Sequence, residues 1–188
     1  MQDATGLRSL RERPFDLLRE IDRRARAAAQ GQTEATASGS EWVGVAFRLG
    51  GEAFLLAREE TREVLAYPAA ITRVPGARSW IRGLSNVRGQ LLPVVDLRAF
   101  LGAGATTVTR TSRVLVANHR EIPAGLVVDE VMGFRRFYEG EFSADLPPTL
   151  LRCERYLAGA FKRGAEVWPV FSVKTLLESP QFMQAAAS

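Results

Sequence analysis

The sequence predicts a mainly β protein made of two related β subdomains with short helices, preceded by an N-terminal helix. Three observations carry this. From Glu41 the period is two: Val43, Val45, Phe47 and Leu49 alternate with Gly44, Ala46 and Arg48. Gly50-Gly51 then turns the chain into Ala53-Phe54-Leu55-Leu56, the pattern of a hairpin. Second, Trp80-Ile81-Arg82-Gly83 is echoed 76 positions later by Tyr156-Leu157-Ala158-Gly159, and Leu92–Leu101 by Trp168–Leu177 at the same offset. Third, helical spacing beyond residue 40 is confined to a few short pieces.

The elements follow in order. Residues 7–29 have Pro14 at a first-turn position, then Phe15, Leu18, Ile21 or Asp22, and Ala25 at helical spacing, with flanks such as Arg19-Glu20 and Asp22-Arg23-Arg24. This is a thin-striped amphipathic helix, either a salt-bridged surface helix or a docking helix. Residues 30–40 are small and polar and read as a linker. The β body spans 41–179, and 180–188 is left as a tail. After the hairpin, strands are expected at 90–96, 113–117, 124–131 and 166–171. Short helices are expected at 59–66, for one or two turns after Asp96, and at 172–178. Asn118-His119-Arg120 reads as a turn, and Gly102-Ala103-Gly104 as a helix stop followed by a loop. Within the repeat, Asp96 and Ser172 can cap the helices that follow. Pro93 and Pro169 belong at an edge or a bulge. Arg88-Gly89 and Arg163-Gly164 correspond after a slip of one residue.

Composition narrows the function. The chain has 188 residues, 46% hydrophobic and 24% charged, enough for a core without a metal or disulfide staple. A single cysteine, Cys153, excludes an internal disulfide and a cysteine zinc cage, and a single histidine, His119, excludes a two-histidine metal motif. No metal and no cofactor are expected. The net charge is +4 and the pI about 9.8, with every basic residue except Lys162 and Lys174 an arginine. That basicity raises nucleic-acid binding as a competing reading. The bases are interleaved with 21 acids, however, and Phe134-Arg135-Arg136-Phe137-Tyr138 is the sole run mixing aromatics with bases. No signal peptide is visible and no run approaches the roughly 18 apolar residues of a membrane span. The chain reads as cytoplasmic.

No catalytic constellation emerges. Asp129 and Glu130 are neighbours on a strand and point to opposite faces. Gly102-Ala103-Gly104 lacks the lysine and the context of a phosphate loop. His119 has no orienting acid at a useful spacing. The chain is read as a non-enzyme.

The segment Gly83-Leu84-Ser85-Asn86-Val87-Arg88-Gly89, running into Gln90-Leu91-Leu92-Pro93-Val94-Val95-Asp96-Leu97, resembles the CheW-like domain. Arg62-Glu63-Val64, Ile71-Thr72-Arg73-Val74-Pro75 and Gly125–Val131 are similar to further parts of the family pattern, with one extra residue between the first two. The resemblance covers roughly 41–179. The charged extension and linker are similar to the branch found in type IV pilus chemosensory systems, the PilI-like adaptors. It implies two five-stranded, barrel-like subdomains. It also implies a scaffold bridging a chemoreceptor's cytoplasmic tip and the regulatory domain of a CheA-type histidine kinase, recruited to membrane-associated arrays and possessing no nucleic-acid site. By the same resemblance Arg88 is the interface arginine, Asn86 and Gly89 shape its turn, and Glu63 belongs to the partner-binding set. From the residues alone, Arg88 has two readings: an arginine reaching a partner carboxylate, or an internal ion pair fixing the turn. The bulky Trp168-Pro169-Val170-Phe171-Ser172 departs from the aliphatic run usual there.

Overall fold

The computed structural model describes residues 40–185, so the expected N-terminal helix (7–29) and nearly all of the linker lie outside the described residues. The strands are β1 (Glu41–Leu49), β2 (Glu52–Ala57), β3 (Thr61–Ala66), β4 (Ile81–Val87), β5 (Gln90–Asp96), β6 (Arg113–Ala117), β7 (Gly125–Val128), β8 (Glu130–Tyr138), β9 (Phe142–Ser143), β10 (Leu157–Arg163) and β11 (Glu166–Phe171). The short helices are α1 (Leu97–Phe100), α2 (Val173–Leu177) and α3 (Pro180–Met183).

The strands form a six-stranded sheet, β8-β1-β2-β11-β10-β9, and a five-stranded sheet, β3-β6-β7-β5-β4. The two-subdomain architecture stands, but the first sheet has six strands because the two-residue β9 adds to its edge. The first sheet also draws on both ends of the described chain, and the second is inserted between them. The chain crosses to the second sheet through a 3-10 turn at Arg58–Glu60 and returns across Asp129 alone. Asp129 holds that crossing: its N–H donates to Arg48 O (3.0 Å) and its carboxylate accepts from Gly50 N (2.7 Å). The single strand expected over 124–131 is therefore two strands of different sheets.

The strands alternate between two apolar environments. Val45, Phe47, Leu49, Phe54 and Leu56 of the first sheet share one core with Val95, Leu115, Leu126 and Val128 of the second. The intervening residues line separate cores: Ala46, Leu55, Phe137, Phe161 and Val170 in the first sheet, and Leu92, Val94, Val114, Val116 and Val127 in the second. Burial on both faces explains the near-continuous apolar runs of β2, β6 and β7.

The repeat is a structural one. The β4-β5-α1 and β10-β11-α2 units are antiparallel hairpins leading into short helices, and β5 and β11 each pair in parallel with a further strand, β7 and β2. Both hairpins carry a bulge at the same place, where Arg82 and Ala158 are the extra residues. Asp96 accepts from Ala99 N and Ser172 from Thr175 N as N-caps. The turns are Arg88-Gly89 and Gly164-Ala165, at the unchanged offset of 76, so the one-residue slip is absent and Gly164 is the counterpart of Arg88.

Three further expectations are corrected. Residues 61–66 form β3, not a helix, because pairing with β6 and the burial of Leu65 against the second core outweigh local propensity. Pro93 and Pro169 lie in interior strands. Each precedes by one residue the start of the parallel pairing, at Val94 and Val170, so on that side no ladder partner stands opposite the missing N–H. The expected tail begins with α3, whose Phe182 is buried against Trp80 and Phe100.

Candidate functional site

The sheet edge carrying Arg88 is built locally. The two-residue connection between Val87 and Gln90 has positive φ at both central positions, as a type I′ turn requires, at Arg88 (φ 51°) and Gly89 (φ 83°). Arginine is an unusual choice there, and the geometry is held by Asn86, whose Oδ1 accepts from Gly89 N at 2.8 Å. Outward-facing Leu91 is 65% exposed beside it.

The structure brings all four expected residues together. Glu63 projects from β3, the opposite edge of the second sheet, and its Oε2 lies 2.9 Å from Arg88 Nη1. Arg88, at the end of the β4-β5 hairpin, and Glu63, on β3, thus link the two outer strands of the second sheet. The partners differ in exposure: the Arg88 side chain is 76% exposed and that of Glu63 20%. Arg88 is paired internally through one nitrogen, as the ion-pair reading expects, and presents the rest of its guanidinium to solvent.

Glu63 also lies where two surface depressions meet. One runs past Arg62, Arg88, Leu91 and Asn118 to His119. The other lies between the sheets, with Val64 (38% exposed) and Phe134 (61% exposed) on its walls. Leu91 and Val64 escaped the sequence reading as surface residues: Leu91 sits in an apolar strand run that looks like core, and Val64 in a stretch expected to be a helix. Phe134 was singled out only as part of an aromatic–basic run.

That run does not form a stacking platform. Phe137 is buried under Arg163, whose guanidinium stacks 4.4 Å from the ring centroid. Arg163 in turn grips Glu141 at 2.6 and 2.8 Å and donates to Arg136 O. The bond from Arg163 and its positive charge hold the Glu141 carboxyl below the usual carboxylate range. This clasp fastens β8 to β10, which share no backbone ladder. His119 serves its turn: Nδ1 accepts from Glu121 N and Ile122 N. Among the described residues no cluster of three His, Cys, Asp or Glu side chains is placed to hold a metal, and no helix is long and apolar enough to cross a membrane.

Asp96 is buried and caps α1, taking bonds from Ala99 N (3.1 Å), Thr106 N (2.9 Å), Thr106 Oγ1 (2.7 Å) and Arg82 Nη2 (2.5 Å). Burial alone would raise its pKa, but the bonds from Thr106 and Ala99 and the Arg82 charge outweigh it and leave the carboxyl below 3.8. Asp96 is a structural residue that orients the β4-β5 hairpin from within.

Comparison with known proteins bears on the family and the fold. The family model of the CheW-like domain matches residues 43–181. Protein PilI of Pseudomonas aeruginosa is 39% identical over 173 residues, covering 92% of this chain and 96% of PilI. Chemotaxis protein CheW of Bacillus subtilis is 28% identical over 100 residues, 53% of this chain and 64% of that protein. The crystal structure of the scaffolding protein TtCheW from Thermoanaerobacter tengcongensis matches with a TM-score of 0.66 at 25% identity, covering 76% of this chain and 96% of that one. With the paired sheets, the repeated hairpin and the Asn86–Gly89 turn in place, the chain belongs to the CheW-like family of non-enzymatic chemosensory coupling proteins.

Proposed function

We propose that this protein joins a chemoreceptor's cytoplasmic tip to the regulatory domain of a CheA-type histidine kinase, within a type IV pilus system governing twitching motility. Likeness to PilI over nearly the whole chain supports the pathway. The observation that carries the contact is the Arg88 turn: a mostly exposed guanidinium, held in a defined position by Asn86 and Glu63, with exposed Leu91 beside it. A pre-positioned arginine next to an apolar side chain is a strong anchor for a partner carboxylate, because little rotamer freedom is lost on binding. The partner-binding set is Arg88, Asn86, Gly89 and Glu63. Binding both partners at once biases the kinase between its active and inactive states, and the coupling is reciprocal.

The test is reconstitution. Receptor fragments, the cognate kinase and this protein are combined, and kinase autophosphorylation is followed. The native chain is expected to make kinase output depend on the receptor; a kinase indifferent to its addition overturns the proposal. In cells, a fluorescent fusion is expected at receptor foci on the membrane and dispersed when the receptor is deleted.

A further inference from the structure

The two copies of the repeat differ at the bulge residue and at the cap of the helix that follows. In the first, the bulge residue Arg82 reaches Asp96 and the carbonyl of Thr106, and the loop after α1 brings Thr106 across the carboxylate. In the second copy the equivalent positions are Ala158 and Ser172. Among the described residues no loop returns over them, because the chain leaves α2 for α3 and packs Phe182 on Trp80 and Phe100. The bulge there aims only a methyl group.

What remains is a groove of about 350 Å³ beside Ala158 and Ser172, lined by Trp42, Phe142, Phe161 and Phe171. A carboxylate is present in it all the same. Glu60, from the 3-10 turn between the sheets, accepts from Val173 N (2.5 Å), Lys174 N (3.2 Å) and Ser172 Oγ (3.2 Å) at the head of α2. Glu41 and Glu139 also line the groove, and among the described residues no basic side chain does. Among the described residues Glu60 and Glu139 have no basic partner, and Glu41 has an exposed pair with Arg136 at 3.4 Å. The second copy therefore keeps the carboxylate at its helix head and lacks the arginine that covers it in the first.

We propose that this groove takes an arginine presented by a segment of a partner protein. The guanidinium occupies the place that Arg82 fills in the first copy and lies on Glu60, and an apolar neighbour of that arginine packs on Trp42 and Phe142. Guanidinium suits the site because it bonds carboxylates in a plane and stacks on aromatic faces, as Arg163 does on Phe137. This site is separate from the Arg88 turn and does not depend on it.

The test uses the full-length, nitrogen-15-labelled chain and two peptides, acetyl-Leu-Arg-Leu-amide and acetyl-Leu-Gln-Leu-amide, followed by NMR at the Trp42 indole and the Ala158 amide. The arginine peptide is expected to shift both signals saturably. The glutamine peptide is expected to bind at least about tenfold more weakly, as the loss of a charge-assisted bond implies. Ala158→Arg, which supplies the missing arginine from within, is expected to abolish peptide binding in a folded protein, and Glu60→Gln to weaken it. Equal binding of the two peptides, or binding that survives Ala158→Arg, overturns the proposal. Unmoved signals overturn it as well, whether the groove binds nothing or is already filled from the chain's own residues 1–39.

Discussion

Arg88 and Glu63 form an ion pair whose contribution to stability is small, because the arginine is largely in water. Exposed pairs contribute about 0.2–1 kcal/mol, which for a chain of this size is at most about 4 °C in melting temperature. A desolvated arginine anchor at an interface contributes about 2–5 kcal/mol. Arg88→Glu is therefore expected to leave the melting temperature within a few degrees and to lower affinity for the kinase at least roughly thirtyfold. The charge swap Arg88→Glu with Glu63→Arg restores the internal pair and is expected not to restore binding. Equal affinity of the native and Arg88→Glu proteins, measured by calorimetry, would refute the interface role. Asp96 behaves in the opposite way. It is buried and its partner Arg82 is only 28% exposed, so Asp96→Ala strands a charge and is expected to cost about 3 kcal/mol in a urea titration. Its folded pKa is depressed, so its stabilisation is complete well above pH 3.8 and is lost as pH falls through the lower, folded value. The acid-side fall in melting temperature below pH 4 should be shallower in Asp96→Asn. Cys153 is fully buried, and burial raises its thiol pKa. Ellman's reagent should label it only after unfolding.

The hairpins are where element geometry is most constrained. Gly83 and Gly159 follow the two bulge residues with φ near +140° and +146°. A Cβ at Gly83 would run into the carbonyl of Thr72, which bridges to Leu84, and one at Gly159 into the carbonyl of Ser143 and the ring of Phe142. In both copies a passing segment lies against the bulge glycine, so its lack of a side chain is a packing requirement as well as a conformational one. Gly83→Ala and Gly159→Ala are each expected to cost upward of about 2 kcal/mol, combining backbone strain with displacement of the neighbouring segment. Gly89, also at positive φ, has open space where a Cβ would stand, so Gly89→Ala should cost only about 1 kcal/mol. Chemical denaturation of the three variants checks the ranking, and a Gly83→Ala protein as stable as Gly89→Ala would contradict it.

Considered whole, the body is two sheets that share their largest core. Phe47 and Phe54 of the first sheet and Leu115 and Leu126 of the second lie in one apolar cluster, and α3 packs its Phe182 onto Trp80, just ahead of β4. The sheets also interlock in sequence, since β1 and β2 are completed by β8–β11. Neither sheet should unfold alone. Calorimetry is expected to show one transition, with van't Hoff and calorimetric enthalpies equal. Phe182→Ala should lower stability by about 3 kcal/mol while leaving the transition single. Two resolved transitions would mean that the shared core does not couple the sheets.

The features legible from the amino-acid order are the local ones. The Gly50-Gly51 hairpin, the caps at Asp96 and Ser172, the strands at 90–96, 113–117 and 166–171, and the repeat at an offset of 76 all depend on contacts within a few residues, or on a pattern the chain states twice. So do Asn86 and Gly89, whose bond closes a turn of two residues. The family resemblance rested on that same stretch. The features that depend on distant neighbours were decided by tertiary structure. Residues 61–66 became a strand because β6, about fifty positions away, offers a ladder. Residues 124–131 divided at Asp129 because the two sheets claim opposite ends of the run. Glu63 meets Arg88, and Glu60 meets the head of α2, only after the sheets have formed, since no spacing in a linear chain reports which edges will face each other. A strand's apolar period states that it has a buried face; which partner covers that face is a property of the packed molecule.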